Sequence, residues 1–398
     1  MDTMYHLPPT AAEAAIATTV AEAAAAQEPL WLTGNGTKGA MLRPVRSRRT
    51  VSSAALRGIT LYSPSELIVS ALAGTALSEV QATLAASGQH LIAEPPDLRR
   101  VLGAADAPQT IGGLVATNLS GPRRVAWGAM RDHVMGIRAV TGRAEVIHSG
   151  GRVLKNVTGL DLCKLFTGSH GTLGLITEVT LKVLPLPETS ATLVLPMAVA
   201  QAGVAALSAA LGSPYGVSGA AFLPQAAAAR LGLPGAAALV RIEDFAASVA
   251  YRSEKLRAEL GVAGSSILDD AASRLIWAGV RDADPLVVGD DDAVWRVSVR
   301  PSAGPGVLEA AGCSGFLDWG GGLVWLVGAA TPAAHQRVET AVLAAGGTWT
   351  LMRAPDALRE AVDVIPPESP VLAAITRRVK AALDPRGILN PGRLYAGL

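Results

Sequence analysis

Short apolar runs interrupted by glycine and proline make up the first part of the chain. Residues 30–33 form such a run, which predicts a strand leading into a Gly-rich turn at residues 34–39. Residues 11–26 are rich in alanine and predict a surface helix. A Ser-Pro-Ser-Glu start followed by helical spacing of apolar positions predicts a helix over residues 63–73. A further helix is predicted over residues 77–87, where a glycine ends it.

Strand-like patterns dominate after residue 136. Residues 137–140, 144–147 and 176–183 are short apolar or β-branched runs separated by glycine, and they predict strands. The Leu-Pro-Leu-Pro sequence at residues 184–187 interrupts both helical and strand periodicity and predicts a domain boundary. The first domain is therefore expected to be α+β.

Helical and strand patterns alternate in the second half. They predict helices over residues 199–211, 245–260, 333–345 and 371–383, and strands over residues 238–241, 294–299, 323–327 and 348–352. This order predicts a second α+β domain whose sheet is covered by helices on one face. The charged residues 281–292 are predicted to form an exposed loop.

Composition excludes several classes of protein. Half of the 398 residues are apolar, yet no run of eighteen consecutive apolar residues occurs, which argues against a membrane-spanning helix. The net charge is +1 and the basic residues are scattered, so the basic surface that nucleic-acid binding needs is missing. Glu13 and Glu22 interrupt the Ala-rich helix and no basic segment precedes it, which argues against a secretion signal. The sequence therefore predicts a cytoplasmic protein.

The two cysteines limit the redox chemistry that this chain can hold alone. Cys163 and Cys313 are far apart in the sequence and form no Cys-x-x-Cys pair. Iron–sulfur clusters need several thiolate ligands, so any such cluster must belong to another subunit.

Three Gly-rich segments carry the clearest chemical signal. They are residues 34–39, residues 110–113 and residues 168–177. Because glycine lacks a Cβ, such segments let the main chain approach a flat or phosphorylated ligand and expose N–H donors. Lys38 in the first segment offers a positive charge to a phosphate.

The order of these segments resembles the FAD-binding half of the vanillyl-alcohol oxidase superfamily, also called the PCMH-type flavin domain. The most specific part is Gly-Ser-x-Gly-Thr-Leu-Gly-x-Ile-Thr at residues 168–177. Within that superfamily the chain is most similar to the FAD-binding E subunits of bacterial glycolate oxidase. Segments at residues 295–298, 316–321 and 350–353 support this resemblance, which covers residues 30–398.

The resemblance implies an α+β fold in three parts. Residues 1–187 would form a PCMH-type FAD-binding domain with two α+β subdomains, and residues 188–370 a second α+β cap domain. Residues 371–398 would return to the FAD domain. FAD is the implied cofactor, and its implied binding residues are Gly34, Asn35, Gly36, Thr37, Lys38, Thr110, Ile111, Gly112, Gly113, Asn118, Ser120, Lys155, Asp161, Gly168, Ser169, Gly171, Thr172, Gly174, Ile176 and Asn390.

Several of these assignments have alternatives. Lys155 and Asp161 would either contact the cofactor or form an ion pair that holds their loop. His170 stands where many relatives carry Glu, and we expect it to be solvated or bonded to the backbone rather than catalytic. Arg393 would supply positive charge near the flavin. Covalent attachment in this superfamily uses a His or a Cys, and residues 34–39 contain neither, so we expect non-covalent FAD, with Cys163 as the remaining alternative.

The second domain lacks the residues of a metal site. Related 2-hydroxy-acid dehydrogenases hold a divalent metal there with several histidines and a carboxylate. This chain has one histidine after residue 187, His335, with Glu339 one helical turn away. Two ligands do not make a metal site, so we predict no metal and expect an exposed pair on a helix face. Arg296 and Arg353 are weak catalytic candidates that would bind a small carboxylate beside Trp319, with a structural role as the alternative.

The resemblance implies the FAD-binding subunit of a glycolate (2-hydroxy acid) oxidase or dehydrogenase complex. Such a complex would oxidise glycolate to glyoxylate and pass electrons through the flavin to an iron–sulfur subunit, beside a catalytic FAD paralogue. Any association with a membrane would be made through that complex. Two alternatives stay open: a flavin-fold scaffold that supports the catalytic paralogue, and a free-standing FAD oxidase with an unrelated substrate. Predicted anchors for the partner are the second-domain tryptophans Trp277, Trp295, Trp319, Trp325 and Trp349, with burial in the core as an equal alternative for some of them.

Overall fold

Two antiparallel sheets and a short parallel strand pair organise the chain in a computed structural model that describes residues 10–104, 106–151 and 160–398. The strands of the first part are β1 (Leu30–Thr33), β2 (Arg49–Ser52), β3 (Ile59–Ser63), β4 (Ile68–Leu72), β5 (Gln89–Leu91), β6 (Val134–Thr141), β7 (Val146–Gly150) and β8 (Gly174–Pro185). Its helices are α1 (Ala11–Ala26), α2 (Leu77–Ala85), α3 (Arg99–Leu102), α4 (Ile111–Thr117), α5 (Arg124–Trp127), α6 (Met130–His133) and α7 (Leu162–Phe166).

The first part contains two structural units. Strands β1 and β2 pair in parallel, while β3 to β8 form an antiparallel sheet in the order β3-β4-β8-β6-β7, with β5 also paired to β8. Helix α1 begins with a capping box in which Thr10 and Glu13 satisfy each other's backbone N–H groups. The Glu13 carboxylate also accepts hydrogen bonds from Arg138 and Thr177, which fixes α1 to the sheet formed by β3 to β8.

The second part is built on a larger antiparallel sheet. Its strands are β9 (Thr189–Pro196), β10 (Val217–Leu223), β11 (Ala237–Asp244), β12 (Ser266–Leu268), β13 (Asp292–Ser298), β14 (Ser314–Asp318), β15 (Leu323–Ala329) and β16 (Thr348–Arg353), in the order β12-β9-β11-β10-β14-β15-β13-β16. The remaining helices are α8 (Ala200–Leu211), α9 (Gln225–Arg230), α10 (Ala246–Leu260), α11 (Asp270–Arg281), α12 (Gly304–Ala310), α13 (Pro332–Ala344), α14 (Asp356–Ala361) and α15 (Pro370–Leu383).

The two faces of this larger sheet have different neighbours. Helix α8 packs so closely on β10 that a Cβ on Gly203 would lie 2.3 Å from the Phe222 ring. On the opposite face, Arg241 and Glu243 of β11 form ion pairs with residues of the first part. The fold is thus α+β throughout, and the charged face of the second sheet lies against the first part of the chain.

The C-terminal residues return to the first part after α15. Leu30 donates a backbone hydrogen bond to Ile388 at 2.7 Å, and the Asn390 N–H donates one to Leu30 at 3.0 Å. This extra pairing extends β1 on the side away from β2. Residues distant in sequence by more than 350 positions therefore build one surface.

Three sequence predictions are wrong. Residues 63–73 form a single 3-10 turn followed by strand β4, because Leu67 adopts a left-handed φ of 58° that ends the turn. Residues 281–292 are not wholly exposed, since Ala283 and Leu286 belong to the core. The five second-domain tryptophans are between 0% and 9% exposed, so they are packed inside the protein and do not offer anchors to a partner.

Candidate functional site

An open cleft lies where the three Gly-rich segments meet the C-terminal residues. The turn after β1, the start of α4 and the loop before β8 each form part of it. Twelve of the residues predicted to bind FAD line the cleft: Gly34, Asn35, Gly36, Thr37, Lys38, Thr110, Gly112, Gly113, Gly171, Gly174, Ile176 and Asn390. The fold therefore brings together segments that the sequence separates by up to 356 positions.

The turn at residues 34–39 presents unused donors to the cleft. In the described part of the chain, the backbone N–H groups of residues 35–38 donate no hydrogen bond to protein. Lys38 Nζ donates to two neutral oxygens, Gln109 Oε1 at 2.7 Å and Thr37 Oγ1 at 3.4 Å. Burial of this amine lowers the pKa of Lys38 to about 8. A row of free N–H groups beside a partly desolvated amine is suited to a phosphate.

The segment at residues 110–113 contributes shape more than donors. The N–H groups of Gly112 and Gly113 are already used, by Ala73 O at 2.9 Å and by the capping Thr110 Oγ1 at 3.3 Å. A Cβ on Gly112 would lie 2.5 Å from the Ala73 Cβ, so glycine is needed there to pack α4 against the end of β4. A Cβ on Gly34 would lie 2.4 Å from Thr110 Oγ1, which shows how closely the first two segments approach.

The loop at residues 168–174 separates two cavities. His170, Gly171 and Gly174 line the cleft, whereas Ser169 and Thr172 line a groove on the other side. Gly168 and Gly171 have left-handed φ values of 87° and 74°, which explains the glycine at both positions. Burial and the nearby Arg393 charge lower the pKa of His170 to about 3, so its imidazole is neutral in the cleft.

Asn390 joins three segments at the base of the cleft. Its Oδ1 accepts from the Leu32 N–H at 2.7 Å, and its Nδ2 donates to His170 O at 2.7 Å and Leu32 O at 3.3 Å. The side chain is 2% exposed and its polar atoms are satisfied by protein. Asn390 therefore positions β1 against the 168–174 loop.

Two arginines fix the chain after the Gly-rich turn. Arg393 donates to Lys38 O, Gly39 O and Arg43 O, and Arg359 donates to Gly39 O, Met41 O and Leu42 O. Burial and the Arg359 charge lower the pKa of Arg393 to about 9. Arg393 also lines the cleft, so its buried positive charge contributes to the field that an anionic ligand would meet there.

Other predicted cofactor residues lie outside the cleft lining. Asn118 Oδ1 accepts from the Arg131 N–H and Ser120 Oγ from the Met130 N–H, so both fix the chain after α4. Asp161 caps α7 and lies 3.5 Å from Lys164, while Ile111 is core. Gly168, Ser169 and Thr172 also lie outside the lining, and Lys155 is outside the described residues.

The cleft also contains residues that the sequence patterns did not indicate. They are Trp31, Leu32, Thr33, Ser53, Ala116 and Thr117, beside His170 and Arg393, while Gly39 and Leu175 belong to the predicted Gly-rich segments. Most of the former belong to the strand or helix that flanks a Gly-rich segment.

Buried ion pairs connect the two halves of the chain. Arg123 Nη2 lies 2.6 Å from Glu243 Oε1, and Arg241 Nη1 lies 2.8 Å from Glu94 Oε1. Burial alone would raise the pKa of Glu243, but the guanidinium groups of Arg241 and Arg123 lower it to about 2. His90 Nδ1 lies 2.8 Å from Arg123 Nη1, and burial together with this charge lowers the pKa of His90 to about 4.

Trp319 lies between two arginines at the same inter-domain face. The guanidinium carbons of Arg124 and Arg296 lie 4.4 Å and 4.8 Å from its ring centroid, and Trp319 Nε1 donates to Gly121 O at 3.1 Å. Among the described residues, the buried Arg296 Nη2 has no hydrogen-bond partner. Burial and the Arg124 charge lower the pKa of Arg296 to about 10. This arginine therefore has a free donor for an anion.

Asp318 adds a buried carboxyl group that the sequence analysis did not single out. It is 2% exposed, and its Oδ1 accepts from the Trp319 N–H at 2.7 Å. Burial raises its pKa to about 7, although Arg241 and Arg296 act in the opposite direction. The sequence feature that could have indicated Asp318 is an Asp at the end of an apolar strand, directly before Trp-Gly-Gly.

Arg353 and His335 both contact other residues of the protein. Arg353 Nη1 donates to Val101 O at 3.2 Å and its Nη2 lies 3.6 Å from Asp290, so this guanidinium is engaged. His335 is 3% exposed and accepts a hydrogen bond from Trp295 Nε1 at 3.1 Å, so the expected exposed helix-face pair is wrong. Within the described ranges, no three His, Cys, Asp or Glu side chains converge as metal ligands, and no helix has the length and apolarity to cross a membrane.

Comparison with known proteins decides the family. A family model described as FAD binding domain matches residues 9–150, and one described as FAD linked oxidases, C-terminal domain matches residues 367–394. The glycolate oxidase subunit GlcE of Escherichia coli is 33% identical over 379 residues, which cover 95% of this chain and 96% of that protein. This chain belongs to the family of GlcE. It is a flavoprotein of the FAD-linked oxidoreductases, with FAD as its cofactor.

Other similarities are partial or more distant. The glycolate oxidase subunit GlcD of Bacillus subtilis is 45% identical over 84 residues, covering 21% of this chain and 18% of that protein. An uncharacterized FAD-linked oxidoreductase of Mycobacterium tuberculosis is 26% identical, with 91% of this chain and 84% of that protein covered. A structure of alkyldihydroxyacetonephosphate synthase superposes with a TM-score of 0.64 at 17% identity, over 94% of this chain and 74% of that one. The last comparison supports the FAD-linked oxidase fold.

Proposed function

We propose that this chain is the FAD-binding subunit of a glycolate (2-hydroxy acid) oxidase or dehydrogenase complex that oxidises glycolate to glyoxylate. The similarity to GlcE along almost the whole chain is the observation that carries this proposal. The shorter match to GlcD is compatible with a second, related FAD subunit in the complex. An iron–sulfur subunit is proposed as the electron acceptor, because Cys163 and Cys313 are each free and do not form a ligand pair.

The geometry of the cleft fits FAD. The free N–H groups of residues 35–38 and the Lys38 amine would hold the pyrophosphate, since both offer donors without a charged partner in the protein. Gly171, Gly174 and Ile176 would contact the remainder of the cofactor along the loop before β8. Bound FAD supplies the capacity to accept a hydride from the substrate carbon. The protein residues bind it, orient it and surround it with positive charge.

Arg296 is the stronger of the two proposed carboxylate-binding residues. Its unpartnered Nη2 and its place beside Trp319 suit a small carboxylate, whereas Arg353 already binds a backbone oxygen and lies near Asp290. Asp318 lies at the end of β14, which β15 separates from the strand of Arg296. In this proposal Arg296 orients the acid, and Arg353 has a structural role.

Lys38 makes FAD binding dependent on pH. A phosphate raises the pKa of Lys38 above its value of about 8 in the free chain, so FAD binding requires a protonated amine. The affinity for FAD is therefore highest below pH 8. It falls as the pH rises through 8 toward the higher pKa that Lys38 has in the complex with FAD. We expect FAD to bind about tenfold more weakly at pH 9 than at pH 7. Fluorescence titration of FAD into the apoprotein measures this.

Substitution of Lys38 tests whether this amine, rather than another basic group, causes the pH dependence of FAD binding. Lys38→Met should weaken FAD binding at pH 7 and remove the change between pH 7 and pH 9. Lys164→Met is the matched control, because Lys164 is exposed and pairs with Asp161. Equal pH dependence in both variants would show that Lys38 does not contact the phosphates.

FAD should be released when the protein is denatured. The turn that faces the phosphates contains no His or Cys, and the Cys163 thiol is buried, which raises its pKa to about 11 and keeps it protonated. Acid precipitation should leave a colourless pellet and a supernatant with one FAD per chain. A yellow, fluorescent pellet would show covalent attachment.

Purification of the tagged chain from its native host tests the proposed complex. We expect an FAD-linked paralogue and an iron–sulfur protein to co-purify, with glycolate oxidation by the assembly but little by the lone chain. Chelators should leave any activity of the lone chain unchanged, because its described residues form no metal cluster. Robust turnover of another alcohol by the lone chain would favour a free-standing oxidase, and a complex that works with flavin-free chain would favour a scaffold. The cell fraction from which the complex is purified would also show whether this chain is cytoplasmic or held at a membrane.

A further inference from the structure

Helix α15 has an apolar face that the protein leaves uncovered. Val371, Leu372 and Ile375 are 71%, 54% and 50% exposed. They follow one another at helical spacing, and Val379 continues the stripe toward the protein. A helix of a folded domain normally buries such a stripe, so exposure of this one indicates a surface that another molecule covers.

A groove continues this face into the FAD-binding half. It is lined mainly by apolar residues, among them Leu165, Leu173, Ile375, Val379, Leu394 and Tyr395. We call α15 and this groove together the α15 face. Leu165 is itself 36% exposed at the edge of the groove.

The groove contains an unsatisfied polar atom. Ser169 is 6% exposed, and within the described residues its Oγ has no hydrogen-bond partner. A buried hydroxyl that is left unpaired destabilises the surface that contains it. The groove therefore suits an occupant with a polar atom, such as a backbone group, opposite Ser169.

The charges around α15 indicate the chemistry of that occupant. In the part of the chain that the structure describes, Arg377, Arg378 and Arg386 have neither an ion-pair partner nor a side-chain hydrogen bond. By helical spacing Arg378 lies beside the apolar stripe, Arg386 follows α15 in the chain, and Arg377 lies on the other side of the helix. An apolar protein surface with acidic residues at its rim would complement both features.

The α15 face also lies next to the cofactor site. One loop separates the two, because His170 and Gly171 face the FAD cleft while Ser169 and Thr172 face the groove. Lys380 of α15 donates to Thr172 O at 2.7 Å, and Asn390 donates to His170 O at 2.7 Å, so this loop is held from both sides. A protein seated on the α15 face would be one loop away from FAD.

We propose that the α15 face is the docking site for a partner subunit that presents an apolar segment rimmed by acidic residues. This inference rests on the proposed complex and specifies which surface of the chain enters it. The residues expected to contact the partner are therefore exposed apolar residues near the flavin, and no longer the second-domain tryptophans, which are buried. An electron acceptor carried by that partner would then lie across the 168–174 loop from the cofactor.

Two leucines with equal exposure allow a matched test. Leu372 on α15 and Leu343 on α13 are each 54% exposed, so an Asp at either position should leave folding and FAD content intact. The tagged full-length chain is produced in its native host, and co-purified FAD-linked and iron–sulfur proteins are quantified by mass spectrometry. We expect Leu372→Asp to reduce their recovery about tenfold or more, with Leu343→Asp at the wild-type level. Arg378→Glu should reduce recovery as well, whereas Arg377→Glu, on the other side of the helix, should not.

The outcomes separate failure of the docking site from failure of the complex. Equal recovery with Leu372→Asp and Leu343→Asp would overturn the docking site and leave the proposed function intact. If the wild-type chain recovers no FAD-linked or iron–sulfur protein, the complex and the docking site both fail. A wild-type homodimer that Leu372→Asp converts to a monomer would assign the face to a second copy. Binding of the wild-type chain, but not Leu372→Asp, to phosphatidylglycerol vesicles would assign it to a lipid surface, and either result would overturn the proposal.

Discussion

Replacing Gly171 with alanine should reduce FAD affinity by more than tenfold. Gly171 has a left-handed φ of 74°, and a Cβ there would lie 2.6 Å from Asn390 Nδ2. Asn390 cannot move without loss, because its amide holds Leu32 and His170 through buried hydrogen bonds. Backbone strain of alanine at this φ would cost about 1–2 kcal/mol, and unpaired polar groups would cost about 1–3 kcal/mol more. The base of the cleft would therefore shift.

Gly392 provides the control for backbone strain alone. It has a left-handed φ of 73°, almost the same as Gly171, but a Cβ there would meet nothing within 4 Å. Gly392→Ala should cost about 1–2 kcal/mol of stability and leave FAD affinity close to that of the wild type. FAD titration of both apoproteins measures the difference. Equal affinities in the two variants would mean that the contact between Gly171 and Asn390 does not shape the cleft.

Replacing Glu243 with glutamine should destabilise the protein by about 3–5 kcal/mol at pH 7. The Glu243 carboxylate is buried between Arg123 and Arg241, at 2.6 Å and 3.2 Å, so its loss leaves two buried guanidinium groups with Glu94 as their remaining carboxylate partner. Urea unfolding of the FAD-saturated chain measures the free energy of unfolding. Glu254→Gln is the control, because Glu254 forms an exposed pair with Arg257 and should change stability by less than about 1 kcal/mol.

The pH dependence of this effect has a definite sign. The pKa of Glu243 is lowered to about 2 in the folded protein, below the usual carboxyl value near 4.5. Its stabilisation is therefore fully present above pH 4.5 and is lost as the pH falls toward 2. The difference between wild type and Glu243→Gln should shrink across that interval. A difference that stays constant from pH 6 to pH 3 would show that packing, rather than charge, is responsible.

The Gly-rich segments could be recognised from the sequence because their signals are local. Left-handed turns at Gly36, Gly168 and Gly171 favour glycine, so the spacing of these glycines is visible without a structure. The role of Gly112 is different, since its glycine is explained by Ala73, a residue that only the folded chain brings near. The positions of the turns were thus predictable from pattern, whereas the reason for each glycine was not.

Strand β4 shows where local periodicity fails. Residues 68–71 of β4 are all buried, so both faces of the strand are covered, and the resulting run also fits helical spacing. Asp318 and Arg296 illustrate the same limit for chemistry. Their burial, and the resulting pKa of about 7 for Asp318, depends on the contact between the second sheet and the FAD-binding half, which no local pattern encodes.

Anaerobic addition of glycolate to the complex purified through this chain tests the central claim most directly. Absorbance near 450 nm reports oxidised flavin, and glyoxylate is quantified in the same sample. The account predicts that glycolate bleaches the flavin and yields glyoxylate in the assembled complex, with little bleaching when this chain is present alone. A complex whose flavin stays oxidised with glycolate, but is bleached by an unrelated alcohol, would contradict the assignment to glycolate oxidation.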